Sequence, residues 1–287
     1  MINIGIDAGG TLVKVAYFIG NGNEIKYQTF KSESLGQVVS WLRNFKEAKL
    51  CITGGKSQVL SRELGGNISN IVEFEATCAG VEYLAKRNQI DIKSDFVLAN
   101  IGTGTSIHYV SNHVQQRIVG TGVGGGTLIG LSTLLTNNSN YEQIVQSALH
   151  GNKDSVDLTV KDIFEGASPP ISEGLTASNF GKINFSQIHP TNPDLLASVI
   201  ALIGETVVTI SSQAAERFRT ESIVYIGSTL RSNPLLRKVI EDYTILRGKQ
   251  PSFLIHGEFS GAVGALLNIA YPTQVNNNGT NKYCGST

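Results

Sequence analysis

The sequence predicts an α/β protein in which one architectural unit occurs twice. Three observations carry that expectation. Residues 2–6 form a β-branched, alternating run, followed by a Gly/Thr turn, a return strand, a second turn, a third strand and then helix. The same order starts again at Asp95 with different residues, so the architecture repeats and the sequence does not. Glycine is abundant, at 31 residues, and clustered, above all in the loops at 9–10, 102–104 and 120–126, where a backbone without Cβ permits tight turns and close approaches.

In the first pass, Leu12–Phe18 is the return strand, Asn21-Gly22-Asn23 a turn and Ile25–Phe30 the third strand. Leu35, Val38, Val39, Leu42 and Phe45 stand at helical spacing over 35–46. Lys49–Thr53 is a strand ending in Gly54-Gly55, Val59–Leu64 is helical and Glu75–Asn88 is a second helix. In the second pass, Asp95–Ile101 and Ile107–Val110 flank the turn Gly102–Ser106, and Val114–Val119 follows the turn at Asn112. A glycine-dense loop, Gly120–Gly126, opens helix 127–135. The chain then reads as mostly helical to 219, with a long amphipathic helix over 194–217. Strand Ser222–Gly227, helix 232–246, strand 252–255 and helix 259–269 complete the fold. Pro272 ends regular structure, and the Asn-, Gly- and Thr-rich residues after it are expected to fray.

Composition narrows the function classes. The 287 residues are 41% hydrophobic and 16% charged, enough apolar material for a core. Lys plus Arg and Asp plus Glu balance at 23 each. No basic field exists to attract nucleic acid or an anionic membrane, so neither is expected as a partner. Cys51, Cys78 and Cys284 are scattered, without metal-ligand spacing, which fits a reducing compartment. No run of ~18–20 apolar residues is read, and a soluble, cytoplasmic protein is expected.

Three glycine loops suggest anion binding. Asp7-Ala8-Gly9-Gly10-Thr11 lies between two strands, and its glycines let backbone N–H groups approach one anion. Asp7 at a strand end beside such a loop suits magnesium, which takes one or two carboxylates plus phosphate oxygens and water. Lys14 on the return strand reads equally as a phosphate contact or as an exposed strand lysine. Gly102-Thr103-Gly104-Thr105-Ser106 has the same setting, with hydroxyls at 103, 105 and 106 as donors to phosphate. Gly120–Thr127 opens a helix, whose N-terminal N–H groups make an anion site. It also satisfies GxGxxG, but a strand-end acid roughly 20 residues on is missing, because Asn140 and Glu142 start a helix. No GxxxxGK[ST] occurs. Together the first two loops read as two halves of a triphosphate clamp, with ATP as the nucleotide. The helix-opening loop and the turn Ile226-Gly227-Ser228 then serve the nucleoside end.

The ordered set DAGGTLVK (7–14), VEFEA (72–76), IGTGTS (101–106), VGTGVGGGT (119–127) and IVYIGS (223–228) resembles the type II pantothenate kinases, close to the bacterial, staphylococcal-type branch. The likeness runs from residue 2 to about 270 and includes Leu175–Gly181 and Glu241–Gly248. It implies two ribonuclease-H-like domains of the actin-like ATPase fold around a nucleotide cleft, expected as 1–94 and 95–270; residues 271–287 have no counterpart in that family and are expected, from composition, to be a disordered tail. It further implies a homodimer that phosphorylates the primary hydroxyl of pantothenate with ATP and Mg2+. By the same resemblance Glu73 matches the catalytic base and Arg117 a substrate-binding arginine, suited to the pantothenate carboxylate. Asp7, Ala8, Gly9, Gly10, Thr11, Leu12, Val13 and Lys14 fall on the first phosphate loop. Thr103, Gly104, Gly125, Gly126, Thr127, Leu128, Ile129, Tyr141 and Ser228 fall on nucleotide or substrate contacts. Glu75 competes with Glu73, and Tyr141 has a second reading as a core residue.

Two other readings stay open from sequence. A sugar or amino-sugar kinase of the same superfamily would place an Asp where Glu73 stands and often carries a zinc-binding cysteine cluster. A nucleotide-binding regulator would bind ATP without an acceptor.

Overall fold

The computed structural model describes residues 2–19, 24–45, 47–66, 68–184 and 189–271. The turn expected at 21–23, Cys284 and the tail after Tyr271 lie outside the described residues. The chain divides into two compact units. Unit 1 holds the described residues within Met1–Asp95, Val110–Gln116 and Phe253–Thr287, and unit 2 spans Phe96–Tyr109 and Arg117–Ser252.

Unit 1 is built on a five-stranded sheet of β1 (Asn3–Ala8), β2 (Leu12–Ile19), β3 (Glu24–Lys31), β4 (Lys49–Thr53) and β5 (Ser69–Asn70) in the order β3-β2-β1-β4-β5. The β1–β2–β3 meander is antiparallel, and β4 runs parallel to β1. Alternation sorts the side chains of β1 onto two faces. Ile4, Ile6 and Ala8 are fully buried with Val38, Val39 and Leu42 of α1 (Leu35–Leu42) and Leu60 of α2 (Ser57–Leu64). Gly5 and Asp7 point the other way, toward α9 (Ser260–Ala270), which packs in turn on α3 (Glu73–Arg87). Small residues make this second layer possible. A Cβ on Gly5 would sit 2.1 Å from the Ala262 carbonyl, and one on Gly264 1.8 Å from the Ala76 carbonyl. Backbone thus lies directly on backbone, and α9 completes the N-terminal sheet, whereas the division at 94/95 assigned it to the second domain.

Unit 2 repeats the plan. Its sheet comprises β6 (Asp95–Ile101), β7 (Thr105–Ser111), β8 (Val114–Thr121), β11 (Ser222–Ile226) and β12 (Gln250–Phe253) in the order β12-β11-β6-β7-β8. Read from the meander edge inward, both sheets have strand order 3-2-1-4-5, with β11 parallel to β6 as β4 is to β1. Helices α4 (Gly125–Thr136), α5 (Tyr141–Ala148) and α8 (Pro234–Leu246) pack on α7 (Asn192–Arg217). By length and composition α7 is apolar enough to cross a membrane, contrary to the sequence expectation that no such run exists. Its apolar window is 78% buried, which makes it a core helix of this unit.

The expectation of mostly helix up to 219 is corrected over 149–191. Its described residues form a short α6 (Val160–Phe164), two 3-10 turns at Lys153–Ser155 and Gly181–Asn184, and a two-stranded sheet of β9 (Leu158–Thr159) and β10 (Thr176–Ser178). Polar side chains hold this region in place of a long apolar stripe. Asp157 is fully buried and accepts from Ser198 Oγ, from the Phe180 N–H at 2.8 Å and from Asn179 Nδ2 at 3.3 Å.

Candidate functional site

In unit 1 the site grows from the pairing of β1 with β2. Asp7 and Lys14 are directly opposed across the hairpin, so their side chains share one face. Lys14 Nζ lies 3.3 Å from Asp7 Oδ2. Two glycines give the carboxylate room: a Cβ on Gly54, whose φ is +93°, would come 2.7 Å from Asp7 Oδ1, and one on Gly261 3.2 Å from Oδ2. The face is the one covered by α9, on which α3 packs, and Glu73 is the first residue of α3. Glu73 is exposed. Burial of part of the residue and the negative charge of Asp7 push its carboxyl above the ordinary range, while Lys14 pulls it back. Water at the carboxylate screens these effects. Glu75 also lies in the first turn, where an acid favours the helix dipole. Among the described residues no interaction ties it to Asp7 or Lys14, whereas the charges of both act on Glu73.

The loop itself is held from behind. Gly9 N–H closes the hairpin on the Leu12 carbonyl at 3.1 Å, and the Ala8 carbonyl accepts from the Lys56 N–H at 2.9 Å. Gly10 and Thr11 are exposed. Val13 is fully buried in the core, so its side chain supports the loop from behind and only its backbone is left to it. Ala8 is likewise buried and leaves only its backbone to the loop. Leu12 is half-buried beside it.

In unit 2 the second and third glycine loops are stitched to each other. The Gly102 carbonyl accepts from the Gly125 N–H at 2.8 Å and from Thr229 Oγ1 at 2.9 Å. The Thr103 carbonyl accepts from the Gly126 N–H at 2.8 Å. A Cβ on Gly124 would sit 2.8 Å from Gly104, so only glycines allow this contact. The expectation that the opening N–H groups of α4 are available to an anion is therefore corrected. Those of Gly125 and Gly126 are spent on loop carbonyls, and Gly124 N–H donates to Thr127 Oγ1 at 3.3 Å. The Thr105 hydroxyl is spent in the same way, donating to the Val123 carbonyl at 2.8 Å. Thr103 is exposed at the loop tip and Ile129 half-buried, while the Leu128 side chain is fully buried in the core.

Tyr141 settles into a bridging role. Its hydroxyl donates to the Thr229 carbonyl at 2.7 Å, tying α5 to the turn that carries Ser228. Burial raises its pKa. Thr229, buried and bonded to the Gly102 carbonyl and to Tyr141, is a site residue that sequence reading does not name; its position one residue after Ser228 in the IVYIGS segment is the available signal.

Arg117 lies exposed on the edge strand β8. Gly120 makes way for it: a Cβ there would meet Nη2 at 2.5 Å. Among the described residues no carboxylate pairs with it. Behind it, His108 is buried, and burial together with the Arg117 charge pushes its pKa down to about 4. A further cluster joins the stretches 175–181 and 241–248. Thr176 Oγ1 donates to Glu205 Oε1 at 2.8 Å, and the Tyr243 hydroxyl donates to Thr176 Oγ1 at 3.2 Å.

The Fumble family model matches residues 3–268. A type II pantothenate kinase of Bacillus cereus is 47% identical over 267 residues, covering 92% of this chain and 97% of the relative. One of Staphylococcus aureus (strain USA300) is 42% identical over 270 residues, covering 92% and 98%. Among solved structures, component A of the (R)-2-hydroxyglutaryl-CoA dehydratase of Acidaminococcus fermentans superposes with a TM-score of 0.61 at 15% identity, covering 93% of this chain and 96% of that one. EutJ, an ethanolamine utilization protein of Carboxydothermus hydrogenoformans, gives 0.55 at 12%, covering 93% and 89%. At such identities the structural likeness carries the fold alone. That fold is the actin-like ATPase fold, and the two 3-2-1-4-5 sheets are its paired ribonuclease-H-like domains.

Proposed function

The chain belongs to the type II pantothenate kinase family, and from that premise we propose that it transfers the γ-phosphoryl group of ATP to the primary hydroxyl of pantothenate, the first step towards coenzyme A. The observation that carries this reading is Glu73 at the head of α3, in one electrostatic cluster with Asp7 and Lys14.

Glu73 orients the acceptor hydroxyl and takes its proton. The hydroxyl oxygen forms the new bond to phosphorus as the bond to the bridging oxygen breaks, and the electron pair leaves with ADP. A carboxyl held above its ordinary range is a stronger base than a free one, and the late proton transfer of phosphoryl transfer suits it. Lys14 and the loop 7–11 receive phosphate charge. The Asp7 carboxylate, given space by Gly54 and Gly261, fits a single protein ligand to a magnesium ion that arrives with the nucleotide. Magnesium supplies neutralisation of phosphate charge. No group of three or more His, Cys, Asp or Glu is placed to hold a metal among the described residues, which agrees with that mode of delivery. In unit 2 the stitched loops, with Thr103 and Gly104 at their tip and Ser228 on the adjoining turn, take the nucleotide. Arg117, exposed and without a carboxylate partner, takes the carboxylate of pantothenate.

The protein acts in the cytoplasm as a homodimer, without nucleic acid or membrane partners. The exposed apolar residues Leu134, Ile171, Ile245 and Leu246 of unit 2 support self-association. The substrate assignment is tested on Arg117→Ala with pantothenate and with an analogue whose carboxylate is replaced by an amide. The KM for pantothenate rises roughly ten- to a hundredfold, in keeping with a lost charged hydrogen bond, while the KM for the amide stays put. Equal effects on both compounds would remove Arg117 from carboxylate recognition.

A further inference from the structure

Ser32 lies outside every motif, at the turn after β3, yet it is 3% exposed and every polar group it has is engaged on or beside the first glycine loop. Its hydroxyl donates to the Gly9 carbonyl at 2.8 Å. Its N–H donates to the Thr11 carbonyl at 2.9 Å. Its carbonyl lies 3.4 Å from Lys56 Nζ, and the Lys56 N–H in turn holds the Ala8 carbonyl. One buried serine therefore fixes two carbonyls of a five-residue loop.

A carbonyl so held dictates where the next amide points. The peptide between Gly9 and Gly10 is planar and trans, as no cis bond occurs among the described residues. With its C=O turned inward to Ser32, its N–H is turned to the opposite side. Gly10 is exposed, no acceptor for its N–H is found among the described residues, and no atom lies within 4 Å of where its Cβ would stand. Left unheld, the glycine pair 9–10 would have wide conformational freedom. Resting on the ATP reading of this loop given above, we propose that Ser32 is the positioning residue of the phosphate loop, aiming the Gly10 N–H at a nucleotide phosphate oxygen. It touches neither substrate nor the reacting atoms. It acts through the Gly9–Gly10 peptide and is specific for the polyphosphate part of the ligand.

The test compares wild type, Ser32→Ala, Ser32→Thr and Ser32→Cys in the full chain. ATP binding is measured by calorimetry with magnesium, and adenosine binding by competition. Ser32→Ala weakens ATP roughly five- to tenfold, the scale of one neutral hydrogen bond. Adenosine affinity and the KM for pantothenate stay unchanged. Ser32→Thr restores ATP affinity, and Ser32→Cys, a weak donor of nearly the same size, falls between. If Ser32→Ala does not fold, the Thr–Cys difference still reads the hydroxyl. Equal ATP affinity in Ser32→Thr and Ser32→Cys, or a loss shared by adenosine, overturns the proposal. An ATP-specific loss in a protein that binds ATP but leaves pantothenate unphosphorylated upholds Ser32 and overturns the acceptor reading instead.

Discussion

Glu73 and His108 show how burial acts on single titratable groups with opposite consequences. The Glu73 carboxyl is held above its ordinary range, so the folded state binds its proton more tightly than the unfolded chain does. Its charged form therefore costs stability once pH rises above the usual carboxylate range, and Gln at this position is expected to leave thermal stability at neutral pH equal or higher. His108 runs the other way. Its folded pKa of about 4 lies below the ordinary 6.5, so the unfolded chain takes up a proton first. The stability this contributes is complete above 6.5 and lost as pH falls toward 4, up to about 3 kcal/mol in total. Thermal melts between pH 4 and 7 are expected to show this slope, and His108→Gln to flatten it. An unchanged slope in the variant would mean that other groups drive the acid loss. From sequence, Glu73 was identified through the VEFEA resemblance. His108 drew no attention, because nothing local marks a strand histidine as buried behind an arginine.

Elements explain why some loop residues stay open to solvent and others hold the loops in place. The hairpin at 7–14 was legible because strand alternation and a Gly-Gly turn fix its register, which places Lys14 opposite Asp7. The helix-opening loop is legible as glycine-rich, but the partners of its N–H groups are not. Sequence shows N–H groups at a helix start, and only the fold shows that the Gly102 and Thr103 carbonyls occupy two of them. Thr229 and Tyr141 complete that stitching from 88 residues apart in the chain. Tyr141→Phe removes one hydrogen bond and is expected to lower stability by about 1 kcal/mol, with a few-fold weaker binding of adenosine. Weaker binding without any loss of stability would instead make the hydroxyl a direct nucleotide contact.

For the molecule as a whole, the repeated strand order was legible and the membership of α9 was not. Its run Gly261–Ala265 reads as a helix of small residues, but its partners are Gly5, Ala76 and Gly80, some 180 or more residues earlier. Small side chains there exist for backbone contact, and no local pattern names the partner. Gly264→Val places a branched side chain against the Ala76 carbonyl and is expected to cost roughly 1–3 kcal/mol or more, read as a lower denaturation midpoint. An unshifted midpoint would contradict the packing of α3 on α9. The region 149–191 escaped sequence reading for a related reason. It is organised by Asp157 and Glu205 with their hydroxyl and amide partners, and polar networks leave no periodic signature.

In the proposed reaction, Glu73 serves the transfer of phosphate from ATP to pantothenate. A coupled ADP-release assay with pantothenate against a set of hexoses and amino sugars, run on wild type and Glu73→Gln, tests it most directly. ADP release is expected with pantothenate alone, falling about 10²–10⁴-fold in Glu73→Gln while ATP still binds. Turnover of a sugar in preference to pantothenate, or near-normal turnover in Glu73→Gln, would contradict it.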